Sequence, residues 1–337
     1  MTPPVRLDDA WIRAQRPARR ALDPWRPHAF LCETERAENG ELVPVATVFL
    51  TNRECPWRCL MCDLWQHTLT ETVPAGAIPA QIDFALDQLR RATAPPEVAG
   101  ELRQLKLYNS GSFFDSRAIP EADYAAIAER VGGFERVIVE CHPALVGERA
   151  LRFRDLLTTH ASRPEHGEPT TPKLEVAMGL ETAHPDVLKK LNKRMTLDDF
   201  ATAAAFLKQH ALALRVFVLV KPPFLDETEA LEWAKRSIDF AFECGASVVS
   251  LIPTRFGNGA LEALAARGEF SPPRLATLEA AAAYGVGLQR GRVFADVWDL
   301  EKFSDCPNCF AARAARLREL NARQEVPPEA ACERCSF

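Results

Sequence analysis

The sequence has no apolar run that approaches the roughly 20 residues needed to cross a membrane. Its longest apolar stretches, residues 45–50 and 212–220, have the length of single strands. The N-terminus carries Arg6, Asp8 and Asp9 where a secretory signal would have an apolar core. These absences predict a cytoplasmic protein that does not associate with membranes.

The chain also has no excess of positive charge. Its 41 Lys and Arg residues against 46 Asp and Glu residues give a formal net charge of −5. This balance argues against a generally basic, nucleic-acid-coating surface, and it leaves room for a local patch. The first 31 residues are the exception, because they contain six arginines and three aspartates. That segment is either an arm that faces RNA or, as we expect, a solvated tail that is partly docked.

Two familiar signatures are missing as well. No Gly-x-Gly-x-x-Gly follows the first predicted strand, which argues against a dinucleotide-binding fold. The seven histidines form neither His-x-His nor His-Glu-x-x-His pairs, so they predict no metal site of their own.

From about residue 43 the chain alternates apolar, β-branched runs with segments of helical periodicity. The predicted strands are 45–51, 104–109, 136–141, 173–179, 215–220 and 247–252. The predicted helices are 82–92, 121–131, 148–160, 185–192, 196–210 and 228–244. Strands that alternate with helices pair in parallel through right-handed crossovers. The pattern predicts an α/β fold, either an open doubly wound sheet or an incomplete (β/α) barrel.

Composition divides the chain into four parts. An irregular, proline-containing N-terminal extension comes first, followed by the α/β core, by connecting helices and a strand, and by a small cysteine-rich module. The predicted boundaries are 1–42, 43–258, 259–300 and 301–337.

Ten cysteines are many for a cytoplasmic protein, so their arrangement decides what they mean. Seven of them fall into two tight groups, namely Cys55, Cys59 and Cys62, and Cys306, Cys309, Cys332 and Cys335. Clustered thiols in a reducing compartment favour metal or iron–sulfur ligation over disulfides. The other three stand alone, and a lone cysteine is usually a small buried apolar residue.

The first group directly follows the first predicted strand, in the segment Thr51-Asn-Arg-Glu-Cys-Pro-Trp-Arg-Cys-Leu-Met-Cys62. Loops at the carboxyl ends of parallel strands carry the chemistry of barrel folds. Three thiolates at this spacing can bind three irons of a 4Fe–4S cluster and leave the fourth iron open. Zinc ligation with a distant fourth ligand, or a set of redox thiols, are the other interpretations of the same spacing.

At these residues the sequence resembles the radical S-adenosylmethionine superfamily, and the similarity continues through the next four predicted strands. Ser-Gly-Ser-Phe after the second strand, Leu-Asn-Lys after the fourth and Lys-Pro-Pro-Phe-Leu after the fifth resemble the elongator-type and archaeosine-associated branch. The resemblance covers roughly residues 40–260. It implies a partial (β/α)6 barrel of TIM type, closed here by a four-cysteine tail. It also implies a 4Fe–4S cluster whose open iron chelates S-adenosylmethionine.

The resemblance further implies which residues hold S-adenosylmethionine. They are Asn109, Ser110, Gly111, Glu140, Glu181, Lys193 and Arg194. The first three stand at a turn that contacts the methionine amino group, and they depart from the usual double glycine. The glutamate after the third predicted strand matches a cofactor-binding glutamate. The last three match a polar residue and a base that contact the ribose and the carboxylate, and the two neighbouring bases compete for one role.

Lys221 and His142 are the candidates for catalytic contact with a substrate. Lys221 closes the fifth predicted strand, and at a barrel mouth its ammonium would hold a substrate carboxylate or phosphate. The alternative for Lys221 is an ordinary surface lysine. His142 follows the third predicted strand near Glu140 and would reach the active site.

The sequence therefore predicts an enzyme that reductively cleaves S-adenosylmethionine to a 5′-deoxyadenosyl radical, which abstracts a hydrogen from a substrate. A reductant such as flavodoxin or ferredoxin would supply the electron. The resemblance implies a tRNA nucleoside as the substrate class, which would make tRNA a partner. A small-molecule or peptide substrate, and a non-catalytic iron–sulfur or zinc scaffold, remain the alternatives.

The second cysteine group consists of two Cys-x-x-Cys pairs separated by 22 residues. Four thiolates can form a closed tetrahedral site, and structural zinc (Zn²⁺) is the first interpretation. An auxiliary 4Fe–4S cluster is the second, because cysteine spacing does not separate the two. A disulfide or unliganded thiols are the third. Either metal would fasten the tail over the barrel mouth and couple metal loss to unfolding of the tail.

Overall fold

The computed structural model of the chain describes residues 6–91, 101–161 and 171–334. In these residues eight strands form one sheet whose spatial order is the chain order. The strands are β1 Ala29–Arg36, β2 Leu42–Phe49, β3 Gln104–Tyr108, β4 Arg136–Glu140, β5 Lys173–Glu181, β6 Ala213–Val220, β7 Val248–Pro253 and β8 Arg292–Ala295. β1 is antiparallel to β2, and every later pairing is parallel.

Helices cover the outer face of this sheet. The α-helices of the described residues are α1 Asp9–Gln15, α2 Ala77–Arg91, α3 Tyr124–Val131, α4 Glu148–Thr159, α5 Pro185–Lys190, α6 Leu197–Gln209, α7 Glu227–Glu243, α8 Ala260–Ala265, α9 Leu275–Gly287 and α10 Pro307–Arg323. Reciprocal side-chain and backbone hydrogen bonds start two of the crossover helices, from Thr196 and Asp199 at α6 and from Asp226 and Glu229 at α7. No helix of the described residues has both the length and the apolar character that a membrane span requires.

The two faces of the sheet carry different residues, as expected for side chains that alternate along a strand. Val176 and Val216 are fully buried in the core between sheet and helices. Their neighbours Glu175 and Arg215 project from the other face and pair at 2.6 Å. Arg215 of β6 also pairs with Glu35 of β1 at 2.5 Å. Because two strands so far apart in the sheet meet across its inner face, the sheet is curved into a partial barrel.

Helix α10 covers the exposed edge of that barrel. The side-chain amide of Asn321 accepts from the Ala295 N–H and donates to the Ala295 carbonyl, both at 2.8 Å. Gln324 makes the same two contacts with Val293, at 2.7 and 3.0 Å. These amides occupy the backbone groups of β8 that a further strand would otherwise pair with, which protects the edge from unwanted association.

The predicted α/β fold with a partial barrel is confirmed, and the open doubly wound alternative is wrong. The six predicted strands are β2 to β7, and the strand expected within residues 259–300 is β8, whereas β1 was not predicted. β1 lies in the extension that was expected to be irregular, which also contains α1. Its inward positions carry Glu33 and Glu35, whose partners are distant cations, so its sequence lacks the apolar alternation of a strand. β8 has only four residues.

Helix α10 of the cysteine-rich tail is less separate from the α/β core than the sequence predicted. Leu317 and Leu320 of α10 are fully buried in the main core, together with residues of the sheet and of α9. Arg36 of β1 donates to the Ala322 carbonyl. The described part of the cysteine-rich segment therefore packs against the barrel, and the proposed domain boundaries stay a prediction.

Candidate functional site

The first cysteine group lies in a loop that leaves the carboxyl end of β2 and returns to it. Arg53 and Leu69 form an isolated parallel bridge, and the Leu69 N–H donates to the Asn52 carbonyl at 2.8 Å. The three cysteines are enclosed between these contacts. Each thiol is half-buried and none forms a disulfide. The loop therefore presents three free thiols at the carboxyl edge of the sheet, where the sequence placed them.

The surroundings of these thiols favour their protonated form. Burial raises the pKa of Cys55, Cys59 and Cys62 to about 12 each. The positive charge of Lys193 opposes this effect at Cys55 and Cys59. A metal that binds such thiols displaces their protons, and its own charge stabilises the thiolates.

The turn after β3 packs directly against the cysteine loop. A Cβ atom added at Gly111 would lie 3.2 Å from the Cβ of Cys55, so a residue without a side chain lets the two segments approach. The Glu140 carboxylate accepts from the backbone N–H groups of Asn109 at 2.8 Å and Ser110 at 3.1 Å. Burial raises the pKa of Glu140 to about 7, and these hydrogen bonds oppose the rise. Glu140 thus fixes the shape of the turn.

Several buried polar atoms at this edge have no hydrogen-bond partner within the described residues. Asn109 is fully buried, and both its Oδ1 and Nδ2 atoms are unpaired. The Thr51 hydroxyl and the Asn52 Oδ1 atom are also buried and unpaired. Each unpaired buried polar group costs about 1–3 kcal/mol, and such groups are rare in native proteins. Their concentration at the ends of β2 and β3 makes this edge a candidate site for a polar ligand.

Sequence reasoning identified Asn109 and missed Thr51 and Asn52. Threonine and asparagine are ordinary residues in the turn that follows a strand, so nothing in the local sequence pattern distinguished Thr51 and Asn52. Only their burial without partners does so.

Glu181 and Lys193 form a buried ion pair beside the thiols, with 2.5 Å between Oε1 and Nζ. A Cβ atom at Gly179 would clash with the Glu181 Oε1 and would lie 2.5 Å from the Lys193 Nζ, so the pair occupies the space that a side chain would fill. Arg194 instead pairs with Asp9 of α1 at 2.6 Å and is half-exposed. Of the two competing bases, Lys193 lies in the site and Arg194 holds the N-terminal helix.

His142 is held by both of its ring nitrogens. Its Nδ1 accepts from the Ala144 N–H at 3.2 Å, so its Nε2 is the donor to the Lys193 carbonyl at 3.1 Å. The ring stacks on Trp57 with 3.8 Å between centroids. Burial, with the nearby charge of Lys193, lowers the pKa of His142 to about 4. This arrangement links the Lys193 segment to the cysteine loop and engages both ring nitrogens. The catalytic role of His142 stays a prediction.

Lys221 is likewise engaged within the protein. Its ammonium pairs with Glu227 at the start of α7 at 2.7 Å and donates to the Ser271 hydroxyl at 2.8 Å. Its backbone is left-handed, with φ of 55°, at the residue just after β6. The structure therefore directs the Lys221 ammonium to the start of a crossover helix, where it connects two loops. Its contact with a substrate stays a prediction.

The basic N-terminal segment docks on the cysteine loop. Arg16 pairs with Glu54 at 2.8 Å, and Arg19 pairs with the same carboxylate. Both side chains are mostly buried in this contact. These two arginines are therefore docked on the protein, as expected for a partly docked segment.

The second cysteine group lies at the start of α10. Cys306 immediately precedes the helix, Cys309 is in its first turn, and Cys332 lies on the segment that returns beside the helix. The Sγ atoms of Cys306 and Cys332 are 3.9 Å apart, and all three Sγ atoms lie within 4.8 Å of one another. This group can hold a metal ion. Cys335 lies outside the described residues, so its role as a ligand stays a prediction.

No family model matches the chain, and individual proteins do. It is 30% identical to the archaeosine synthase subunit beta of Methanosarcina acetivorans, over 70% of this chain and 65% of that protein. It is 31% identical to the archaeosine synthase subunit beta of Thermococcus kodakarensis, over 64% of this chain and 63% of that protein. The chain thus spans just under two thirds of the length of both relatives.

A solved structure of methylornithine synthase shares the fold, with a TM-score of 0.51 at 12% identity over 78% of this chain and 68% of that one. That structure shows the fold alone. The likeness to the archaeosine synthase subunits confirms the resemblance to the archaeosine-associated branch of the radical S-adenosylmethionine superfamily. The ligands that this resemblance implies are a 4Fe–4S cluster and S-adenosylmethionine. Three clustered thiols beside an unpaired Asn109 amide fit both.

Proposed function

We propose that this chain is a radical S-adenosylmethionine enzyme whose 4Fe–4S cluster is bound by Cys55, Cys59 and Cys62. The observation that carries the proposal is the closed loop of three free thiols beside the buried, unpaired amide of Asn109. When bound and reduced, the cluster would supply the electron that cleaves S-adenosylmethionine into methionine and a 5′-deoxyadenosyl radical. A flavodoxin or ferredoxin would be the source of that electron.

The neighbouring residues have distinct tasks in this proposal. Asn109 offers an unpaired donor and an unpaired acceptor, which suit the amino and carboxylate groups of an amino acid. Glu140 holds the turn that carries Asn109, and Glu181 holds the ammonium of Lys193 near the thiols. The charge of Lys193 offsets part of the negative charge that three thiolates bring to the site.

An aromatic wall lines the inner face of the barrel next to the site. Phe49 and Tyr108, at the ends of β2 and β3, have ring centroids 6.1 Å apart. Tyr108 continues to Phe217 at 5.9 Å, and Phe49 continues to the half-exposed Trp298 at 5.9 Å. Apolar side chains here exclude water from a reactive radical. Their flat faces also suit a planar substrate such as a nucleobase.

We infer that the substrate is a nucleoside of tRNA, and that the chain acts with a partner subunit. The support is its similarity to two proteins known as archaeosine synthase subunit beta. The aromatic wall is compatible with this class of substrate.

The first experiment measures S-adenosylmethionine cleavage. The protein is purified without oxygen, its cluster is reconstituted and reduced with dithionite, and 5′-deoxyadenosine is quantified by mass spectrometry. We expect product from the wild type and from Cys244→Ala, whose thiol lies at the end of α7. We expect none above background from Cys59→Ala. Equal yields from Cys59→Ala and the wild type would refute the enzyme proposal.

The second experiment tests the substrate class. The reduced enzyme is incubated with S-adenosylmethionine and with tRNA from cells that lack this protein, and the digested nucleosides are compared by mass. A nucleoside change that requires Cys59 supports the tRNA proposal. Cleavage of S-adenosylmethionine without any nucleoside change, also in the presence of cell extract, points to the small-molecule or peptide alternative.

A further inference from the structure

We propose that Cys306, Cys309 and Cys332 bind one tetrahedral zinc-type ion, and not a second iron–sulfur cluster. Zinc–sulfur bonds of ~2.3 Å at tetrahedral angles place the sulfur atoms about 3.8 Å apart. The observed distance between the Sγ atoms of Cys306 and Cys332 is 3.9 Å. All three Sγ atoms lie within 4.8 Å of one another. The three thiols therefore have the spacing of ligands that share a single ion.

A cubane cluster requires a wider arrangement. Its cysteines bind different iron atoms, so their sulfur atoms are separated by the width of the cluster as well as by the bonds. Within the described residues, the Sγ atoms of the tail group all lie within 4.8 Å of one another, and those of Cys55, Cys59 and Cys62 do not. The chain thus holds a wide group and a tight group, and the tight group suits a mononuclear site.

The protein itself positions the tail thiols. Cys306 and Cys309 are fixed by the first turn of α10. The returning segment is held to the middle of that helix by Arg316, whose Nε donates to the carbonyls of Pro327 at 3.1 Å and Pro328 at 2.9 Å. Cys332 follows four residues later and meets the start of the helix. These contacts arrange the ligands in advance, which reduces the entropy lost when a metal binds.

The thiols also have a fixed cation beside them. The guanidinium of Arg313 hydrogen-bonds to Cys309, one turn earlier on the same helix face. Its Nε also donates to Glu279 of α9 at 2.7 Å, which holds its orientation. A hydrogen bond from a second residue to a ligating thiolate is a usual feature of protein metal sites.

The ion would have a structural role. It would join the start of α10 to the returning chain, and α10 covers the β8 edge through Asn321 and Gln324. Metal loss should therefore loosen the helix that completes the barrel wall. This inference does not depend on the proposed function, because metal content and absorption are measured without S-adenosylmethionine.

Metal analysis of the full-length protein tests the inference. We expect about one zinc per wild-type chain, loss of that zinc in Cys332→Ser, and no loss in the matched control Cys244→Ser. After anaerobic reconstitution, the iron content of Cys332→Ser should equal that of the wild type. A fall of about four irons per chain in Cys332→Ser would show a second cluster and overturn the proposal. Zinc retained at the wild-type level would overturn it as well.

A measurement on the wild type alone covers the case in which Cys332→Ser fails to fold. Zinc is replaced with Co²⁺, and the absorption spectrum is recorded. Tetrahedral thiolate coordination gives intense visible d–d bands and a sulfur-to-cobalt charge-transfer band in the near ultraviolet. The weak bands of an octahedral site without thiolates would contradict the proposal.

Discussion

The two cysteine groups of this chain are alike in residue type and differ in what surrounds them. The first lies in a loop at the carboxyl edge of the sheet, beside the buried Lys193 and beside polar atoms without partners. The second lies at the start of α10, whose later turns are buried in the main core and bonded to β8. The unpaired polar atoms around the first group can bind a ligand, whereas the contacts around the second group fix α10 to the barrel. The surroundings of a thiol, more than its spacing, indicate its role.

The largest expected effect comes from removing the cation beside the first group. Lys193→Met leaves the Glu181 carboxylate buried without its partner, and both side chains are at most 10% exposed. Breaking a buried pair on one side costs about 3–5 kcal/mol. We expect a loss of unfolding free energy of this size, measured by urea denaturation, together with loss of S-adenosylmethionine cleavage.

Two further variants sharpen that result. The double variant Lys193→Met/Glu181→Leu should recover much of the stability and none of the cleavage, because it removes both charges. Arg194→Ala breaks only a half-exposed pair with Asp9, so it should cost less than about 1 kcal/mol. Equal stability losses in Lys193→Met and Arg194→Ala would show that the structure misassigns these neighbouring bases.

A pH series of unfolding measurements tests whether His142, whose ring joins the Lys193 segment to the cysteine loop, is buried in its neutral form. The folded-state pKa of His142 is lowered to about 4, whereas an unfolded histidine titrates near 6.5. The unfolded state therefore takes up a proton first as the pH falls. The stability that His142 contributes is fully present above about pH 6.5 and declines as the pH falls toward 4, by at most about 3 kcal/mol.

The comparison that isolates this effect is His142→Asn. We expect its free energy of unfolding to fall less steeply than that of the wild type between pH 6.5 and 4. Glu140 contributes a slope of opposite sign, since burial raises its pKa to about 7, but it is present in both proteins and cancels. Parallel pH profiles would mean that His142 is not buried as a neutral ring.

Apart from the control variants, the smallest expected effect comes from α10, the helix that carries the tail cysteines. Asn321→Ala removes both hydrogen bonds to the backbone of Ala295 on the edge strand. Leaving those backbone groups without partners should cost about 1–3 kcal/mol. The matched control is Arg318→Ala on the exposed side of the same helix. Thermal unfolding of metal-loaded protein should distinguish the two, and equal melting temperatures would show that α10 does not protect this edge.

Much of the fold was predictable because its signals are local. The six apolar runs from β2 to β7 and the helices between them follow periodicities of two and 3.6 residues. β1 escaped prediction because its inward residue Glu35 is compensated by Arg215 of β6, 180 positions later in the chain. A binary pattern detects apolar alternation, and it cannot detect a strand whose inner face is charged.

The candidate site was predictable in part for the same reason. Cys55, Cys59 and Cys62 are neighbours in sequence, and the resemblance added Asn109, Glu140, Glu181 and Lys193 around them. The contacts of the two predicted catalytic residues could not be predicted from the local sequence. His142 and Lys221 follow strand ends as active-site residues do, and only packing shows that hydrogen bonds within the protein occupy both.

The sequence by itself determined the order of the strands β2 to β7 and of the helices between them, and it placed three thiols in the loop after β2. The tertiary structure decided which of Lys193 and Arg194 enters the site, how α10 covers β8, and how near Cys332 lies to Cys306. Each of these depends on segments that are distant in the chain and meet only when the core packs. Local patterns fix what a segment can form, and the contacts between segments fix what each side chain can do.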